Sequence, residues 1–151
     1  MNIGLYLKMV KDSETDLNDA FVKVANHHQQ EPDMEEICRL LASWSQQKAT
    51  STDRFIIKYG EKHERGADKL YSELFQGPRR GGLALLRDLH DLWLLATEAQ
   101  ICWTLLGQAA QALRDQDLVE TCVFNKEQTA RQIAWLETRS KQAAPQSLIA
   151  A

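Results

Sequence analysis

The sequence predicts an all-α protein folded as a four-helix bundle. Apolar residues recur at intervals of three and four along four segments, which is the period of one face of an α-helix. The 151 residues include only seven glycines and three prolines, and Pro32 and Pro78 fall between those segments. The three connections are short, long and short. Together these observations predict two helical hairpins in a single domain, residues 1–142, followed by a tail at 143–151.

The first predicted helix covers residues 3–30. Glu14 and His28 fall on its apolar stripe. Proline disfavours helix at the residue before it, so Glu31-Pro32-Asp33 ends this helix. The other members of the stripe are Leu5, Met9, Leu17, Phe21 and Val24.

The second predicted helix covers residues 33–59. Asp33 is the expected N-cap, and Glu36 three residues later completes a capping-box pattern. The middle of this helix, residues 45–52, is unusually polar, and Gly60 is the expected end. Its predicted inner face consists of Ile37, Leu40, Leu41, Trp44, Phe55, Ile56 and Tyr59.

The second half of the chain begins with a connection at residues 60–81 that contains a short predicted helix at 67–75. A third helix is predicted at 82–114 and a fourth at 117–142, separated by a tight polar turn. The tail is expected to fray. The connection of about 22 residues could extend roughly 70 Å, which is ample for bundle helices roughly 40 to 50 Å long. Two antiparallel hairpins joined by one long crossover are therefore predicted.

Two stretches carry a resemblance to a known family: LNDAFVKVANHH at residues 17–28, followed by Glu-Pro-Asp, and LLRDLHDLWLLATEAQICWTLL at residues 85–106. Together with the crossover, they resemble the small ferritin-like proteins. That resemblance implies a dinuclear iron or manganese centre, held by one Glu from each of two helices and a Glu-x-x-His from each of the other two. Glu14 and Glu98 match the lone glutamates. Counted from one face of the bundle, they lie about 17 and about 16 residues deep.

The sequence departs from the family pattern on the other two helices. The matching depth on the second helix falls near Lys48, and no Glu or His lies between residues 43 and 52. On the fourth helix, Glu127 has a suitable depth, but neither Glu127 nor Glu137 is followed by His after three residues. We therefore favour an incomplete metal site without a cofactor. In this interpretation, Glu14 and Glu98 pair with Lys48 or Arg131 in a buried polar network, because unpaired buried carboxylates are costly.

Other polar residues are assigned structural roles. Arg79 and Arg80 lie in a glycine-rich turn and are interpreted as solvated loop charges. His27 and His28 are interpreted as a pair at a helix C-terminus, where the helix dipole favours positive charge. A histidine ligand pair is less favoured because adjacent helical side chains diverge. His90 is expected to make exposed or half-buried polar contacts.

Composition restricts the possible partners and compartment. The net charge of −3 disfavours nucleic acid as a partner, and no apolar stretch reaches membrane-spanning length. The N-terminal apolar run is too short for a signal peptide. Cys38, Cys102 and Cys122 form an odd set without metal-ligand spacing, which predicts buried reduced thiols and a cytoplasmic location.

The apolar surface predicts self-association. Four tryptophans are spread along the chain, and the third predicted helix is apolar on more than one face. We expect a homodimer formed through helices three and four or through helices one and two. No nucleophile–base constellation or phosphate loop appears, so nothing favours a hydrolase or transferase. The long crossover and the missing Glu-x-x-His pairs lead to the main hypothesis, a non-enzymatic ferritin-like bundle that has lost its complete metal centre. The alternatives are an iron or manganese protein using Glu14, Glu98 and Glu127, with Glu137 as an optional fourth ligand, and a helical adaptor that binds a protein partner.

Overall fold

The computed structural model of the protein describes residues 1–60 and 79–150. Within these ranges the regular structure is helical throughout, which confirms the predicted all-α class. The helices are α1 (Ile3–His27), α2 (Pro32–Ser51), α3 (Asp53–Tyr59), α4 (Ala84–Ala112), α5 (Gln116–Pro145) and a π-helical turn (Gln146–Ala150). The short helix predicted at 67–75 lies outside the described residues.

The predicted second helix is interrupted at Thr52. The Thr52 hydroxyl donates to the carbonyl oxygen of Ala49 at 2.7 Å, and α3 begins at the next residue. Threonine side chains compete for backbone acceptors in this way, which explains a break within an otherwise helical pattern. Together, α2 and α3 form the second of four helical arms.

The start of α2 also differs from the predicted cap. Glu31 occupies the N-cap position and Pro32 begins the helix, where its missing N–H costs no hydrogen bond. Asp33 lies in the first turn, and its Oδ2 accepts a hydrogen bond from Arg139 of α5 at 2.6 Å. The predicted Asp33 cap is therefore wrong, because this carboxylate is used to join two arms.

The last helix is longer than predicted. Helix α5 continues past residue 142 to Pro145, and Ala143 packs in the hydrophobic core. The predicted end of the fourth helix at residue 142 is therefore too early. At the other end of α5 the predicted tight turn is present, with Arg114 in a left-handed conformation at φ 54°.

Contacts between the arms fix their directions. Ile3 at the start of α1 packs with Leu106 and Ala110 near the end of α4. At the other end, His28 bonds to Asp88 near the start of α4 at 2.9 Å. Helices α1 and α4 are therefore antiparallel. The second arm is antiparallel to α5, because its start contacts the end of α5 through Asp33 and Arg139, and its end contacts the start of α5 through Lys58 and Asp115.

The four arms thus run up, down, down and up in chain order. As a consequence, α3 ends and α4 begins at opposite ends of the bundle. A close backbone approach helps to hold α3 in place. A Cβ atom at Gly4 would overlap the carbonyl oxygen of Tyr59, so only glycine allows α1 and α3 to meet so closely.

The hydrophobic core is divided into two clusters along the bundle axis. The first occupies the end near the chain N-terminus and contains Ile3, Leu7, Val10, Phe55, Cys102, Trp103, Leu106, Ala110, Leu118 and Cys122. The second occupies the opposite end and includes Leu17, Phe21, Val24, Met34, Cys38, Leu41, Leu89, Leu92, Leu95 and Leu136. Polar side chains fill the level between them.

Three residues predicted to face inward do not lie in the core. Leu5 and Met9 are half-buried, while Ile3, Leu7 and Val10 form the N-terminal part of the α1 stripe. Leu40 is 47% exposed. The error at Leu5 and Met9 arose because nearly every residue near the N-terminus is apolar, so composition alone did not distinguish the faces.

Candidate functional site

Six buried side chains from all four arms meet between the two hydrophobic clusters, and we call this set the central polar layer. Each is at most 1% exposed to solvent. Its members are Glu14 of α1, Ser45 and Lys48 of α2, Trp103 of α4, and Thr129 and Gln132 of α5. Most polar groups buried this deeply have at least one hydrogen-bond partner.

Lys48 lies at the centre of the layer. Its Nζ is 3.2 Å from Glu14 Oε1 and donates to Thr129 Oγ1 at 2.8 Å and to Gln132 Oε1 at 2.6 Å. An ammonium group has three N–H donors, and three acceptors surround this one. The lysine therefore links α1, α2 and α5 through one atom.

Glu14 provides the negative charge of the layer. Its Oε1 accepts a hydrogen bond from the indole Nε1 of Trp103 at 2.8 Å, in addition to facing Lys48. Glu14 Oε2 is buried and has no hydrogen-bond partner among the described residues. One carboxylate oxygen thus connects α1 with both α2 and α4.

Gln132 closes the layer between α2 and α5. Its Nε2 donates to the carbonyl oxygen of Leu41 and to Ser45 Oγ, both at 2.9 Å. Thr129 Oγ1 donates to the carbonyl oxygen of Asn125 at 2.8 Å. Both α5 side chains consequently offer their oxygen atoms to Lys48 in a fixed orientation.

Burial and the facing carboxylate act in opposite directions on Lys48. Desolvation lowers the pKa of the Lys48 amine, while attraction to Glu14 and their hydrogen bond raise it, and the net shift is downward. Removing an ion pair from water costs several kcal/mol per ion. This cost is similar in size to the electrostatic attraction between the two charges in the core. We therefore expect the layer to fix how the arms align more than to add net stability.

The three predicted metal ligands differ in burial. Glu14 is fully buried, Glu98 is half-buried on α4, and Glu127 is exposed on α5. Burial raises the pKa of Glu98, and the nearby Asp16 carboxylate raises it further. Glu137, the optional fourth ligand, is also exposed and accepts a hydrogen bond from Trp93. Within residues 1–60 and 79–150, no group of three or more His, Cys, Asp or Glu side chains could hold a metal ion.

The predicted buried network is confirmed in part. Glu14 pairs with Lys48, as expected from the depth of the two residues. Glu98 does not join them, and Arg131 is exposed, so this part of the prediction is wrong. The half-burial of Glu98 explains the difference, since a carboxylate with access to water does not need a buried partner.

The central polar layer does not fit the dinuclear centre implied by the resemblance. Metal ions of this kind bind carboxylate and imidazole groups. Among the six side chains of the layer, Glu14 is the one such group, and the ammonium of Lys48 carries positive charge at the centre. A divalent cation there would be repelled by Lys48 and would lack ligands from α2, α4 and α5.

Four members of the layer were not predicted from the sequence: Ser45, Trp103, Thr129 and Gln132. A usable signal was present in the fourth helix. Thr129 and Gln132 fall at intervals of three and four on the stripe that also carries core residues Leu118, Cys122 and Leu136. A search for polar residues on this core stripe at the depth of Lys48 would have found both partners of its ammonium group.

A second polar cluster lies at the end of the bundle where α1 ends and α4 begins. Arg79 Nη1 is 3.0 Å from Asp88 Oδ1, and the same guanidinium contacts Asp91. His28 Nε2 bonds to the other oxygen of Asp88 at 2.9 Å. Arg79 is therefore not a solvated loop charge as predicted, because it joins the start of α4. His90 is exposed, as expected, with Nδ1 3.8 Å from Asp91.

A third polar cluster surrounds Asp115 at the opposite end. Its Oδ2 accepts hydrogen bonds from the Tyr59 hydroxyl at 2.5 Å and from Lys58 Nζ at 2.9 Å, while Oδ1 caps α5 at Leu118 N. These donors, led by Tyr59, lower the pKa of Asp115 to about 2. The cluster fixes α3 to the start of α5.

The three cysteines are buried and unpaired, as predicted. Burial raises the pKa of the Cys38 and Cys122 thiols to about 12, so neither is a ready thiolate nucleophile.

No described helix is long and apolar enough to cross a membrane. No protein-family model, curated protein or solved structure matches the chain.

Proposed function

We propose that the protein is a ferritin-like bundle in which the Glu14–Lys48 ion pair takes the place of the dinuclear metal centre. In this proposal the protein acts as a non-catalytic oligomeric bundle. The observation that carries it is the position of Lys48 Nζ, which lies among side chains of three arms and pairs with Glu14 at 3.2 Å.

The directions of the helices support the ferritin-like part of the proposal. The arms run up, down, down and up, so α3 and α4 must be joined from one end of the bundle to the other. Two antiparallel hairpins with one long connection are the arrangement of ferritin-like bundles. A bundle with alternating directions throughout would need short connections only.

The positive charge of Lys48 supports the proposal that the layer holds no metal ion. A lysine ammonium supplies one positive charge and three hydrogen-bond donors to the acceptors at the centre of the bundle. It thereby satisfies Glu14, Thr129 and Gln132 without a metal ion. The reduced buried thiols favour a reducing compartment, so we place the protein in the cytoplasm.

Elemental analysis tests this proposal. The protein is expressed with added iron and manganese, purified without chelators, and analysed for metal per chain beside a Glu98→Ala variant. We expect less than stoichiometric metal in both samples. Stoichiometric, tightly held iron or manganese that Glu98→Ala removes would overturn the proposal and favour the carboxylate-ligated alternative.

The oligomeric part of the proposal rests on the outward face of α4. Leu94, Ile101 and Leu105 are between 40% and 52% exposed and lie at spacings of seven and four residues. This is the spacing of the apolar seam between paired helices. The occupant we propose for this face is the same face of a second copy, which a twofold axis would bring together.

Light scattering across a dilution series tests the dimer. We expect a dimer at micromolar concentration and a shift to monomer in an Ile101→Lys variant. Ile57→Lys is the matched control, because Ile57 is 85% exposed on α3 and lies outside the proposed interface. A monomer at all concentrations, or equal effects of the two variants, would contradict this interface.

A further inference from the structure

An apolar groove of about 650 Å³ lies between the first half of α4 and the last part of α5, and we call it the α4–α5 groove. Its apolar lining is provided by Leu83, Leu86 and Trp93 of the α4 side and by Leu148 of the π-helical turn. From Leu83 to Trp93, the helix rises by about 15 Å. The volume is within the range of roughly 300–1,000 Å³ typical of small-molecule sites.

Two exposed cations, Arg87 and Lys141, border this groove. Neither side chain makes an ion pair or hydrogen bond with a described residue. The acidic group in the lining is Glu137, and its Oε1 accepts a hydrogen bond from Trp93 Nε1 at 3.1 Å. The groove thus combines apolar walls with two positive charges that can bind an anion.

A second apolar groove shows that this combination is not general. It has a volume of about 460 Å³ and lies between the start of α1 and the end of α4, beside Ile3, Tyr6 and Leu113. Among the described residues, no charged side chain lines it. The pair of cationic side chains therefore distinguishes the α4–α5 groove from this second apolar groove.

We propose that the α4–α5 groove binds a free, single-chain fatty carboxylate. Its alkyl chain lies along Leu83, Leu86 and Trp93, and its carboxylate pairs with Arg87 and Lys141. Burial of the chain provides most of the affinity, because each methylene removed from water contributes. The two cations select an anion over a neutral or cationic amphiphile. This inference does not depend on the metal-free centre or on the dimer.

The indole N–H groups of the tryptophans report binding at this site. The full chain is labelled with ¹⁵N and titrated with dodecanoate below its micelle concentration. We expect a saturable shift of the Trp93 indole signal with one ligand per chain, since Trp93 lines the groove. The Trp103 indole signal should stay in place, because Trp103 is 1% exposed in the core. Trp93→Phe and Trp103→Phe variants assign the two signals.

Ligand chemistry and rim variants test recognition of the carboxylate. Each two-carbon lengthening from octanoate to dodecanoate should tighten binding about tenfold. Dodecanol should bind about five- to tenfold more weakly than dodecanoate, as expected for the loss of exposed charge contacts. An Arg87→Gln/Lys141→Gln variant should remove this preference without weakening dodecanol. A Lys126→Gln/Arg131→Gln variant changes the same charge elsewhere on α5 and should behave as the wild type.

Four outcomes would overturn the inference. The first is an unchanged Trp93 signal at saturating dodecanoate. The second is equal binding of dodecanol and dodecanoate. The third is a rim variant that keeps full preference for dodecanoate. The fourth is a Trp93 shift seen with phosphatidylglycerol vesicles but not with dodecanoate, which would assign the groove to a membrane surface instead.

Discussion

Two lysine–carboxylate pairs of similar length occupy very different surroundings in this molecule. Lys48 and Glu14 are 3.2 Å apart, with side chains 1% and 0% exposed. Lys58 and Asp115 are 2.9 Å apart, but the Lys58 side chain is 57% exposed. One lysine–carboxylate ion pair therefore lies in the core, and the other lies at the protein surface.

The pKa values of the two lysines consequently shift in opposite directions. Desolvation lowers the pKa of Lys48 despite the facing Glu14, whereas the hydrogen bond to Asp115 raises the pKa of Lys58. Burial makes the charge costly, and it also makes the loss of a partner costly. The distance between two charges therefore does not measure what their pairing contributes to stability.

Replacing the buried lysine should have the largest effect. In Lys48→Met, Glu14 keeps a buried charge without a counter-ion, and Thr129 and Gln132 lose a donor. We expect the free energy of unfolding to fall by about 3–5 kcal/mol. Urea unfolding at neutral pH, followed by circular dichroism, measures this change.

A Glu14→Gln/Lys48→Met variant is the control for that loss. The amide that replaces the Glu14 carboxylate is uncharged and still offers an oxygen to Trp103, so the unpaired charge disappears. The double variant should recover about 1–3 kcal/mol relative to Lys48→Met alone. Strictly additive losses of the two single variants would show that the charges do not interact, and would contradict the role given to this pair.

Removing the hydrogen bond from the Trp103 indole to Glu14 should have the second-largest effect on stability. Trp103→Phe removes the donor that faces Glu14 Oε1 in the core, and hydrogen bonds to charged groups contribute about 1.5–3 kcal/mol. We expect a loss of about 2 kcal/mol or somewhat more, because the smaller ring also leaves a void. Trp93→Phe is the matched control, since its bond to Glu137 is exposed. Equal losses would contradict the importance of burial.

The sequence was sufficient to predict the helical class, and it gave Lys48 as one of two expected partners of Glu14, beside Arg131. Period alone located four arms, and counting residues from the turns put Lys48 at the depth of Glu14. The same count did not separate Glu98 from the pair. Its position along α4 was reasonable, but its half-burial depends on how α4 is rotated, and the apolar residues all around this helix did not define that rotation.

Other errors arose where a side chain binds a residue distant in sequence. Asp33 has the residue type and spacing of a cap, yet it binds Arg139, which is 106 residues away. Arg79 lies in a glycine-rich turn, yet it joins Asp88 and Asp91. Local patterns favour local roles, and these contacts exist only after the arms are packed.

The Asp115 charge should have a smaller effect that depends on pH. Its pKa is lowered from 3.8 to about 2 in the folded protein, so its contribution is present above pH 3.8 and is lost as pH falls towards 2. We expect this contribution to be about 1–2 kcal/mol, reduced from the full shift because solvent screens Lys58. Asp115→Asn keeps a capping oxygen for α5.

Urea unfolding of wild type and Asp115→Asn between pH 2 and 6 measures that contribution. The two proteins should differ most at the upper end of this range and converge near pH 2. A difference that stays constant across the range would show that Asn alters the cap or packing, and that the carboxylate charge contributes nothing of its own.

Replacing the exposed Lys58 should have the smallest effect on the free energy of unfolding. In Lys58→Met, Asp115 still accepts a hydrogen bond from Tyr59, and water solvates the remaining charge. The loss should be far smaller than in Lys48→Met. Salt at about 1 M shortens the reach of exposed charges to roughly 3 Å, so it should reduce the small difference between Lys58→Met and wild type. The Lys48→Met difference should persist in the same salt, because the core excludes the ions. If salt reduced both differences alike, the Glu14–Lys48 pair would have to be accessible to solvent.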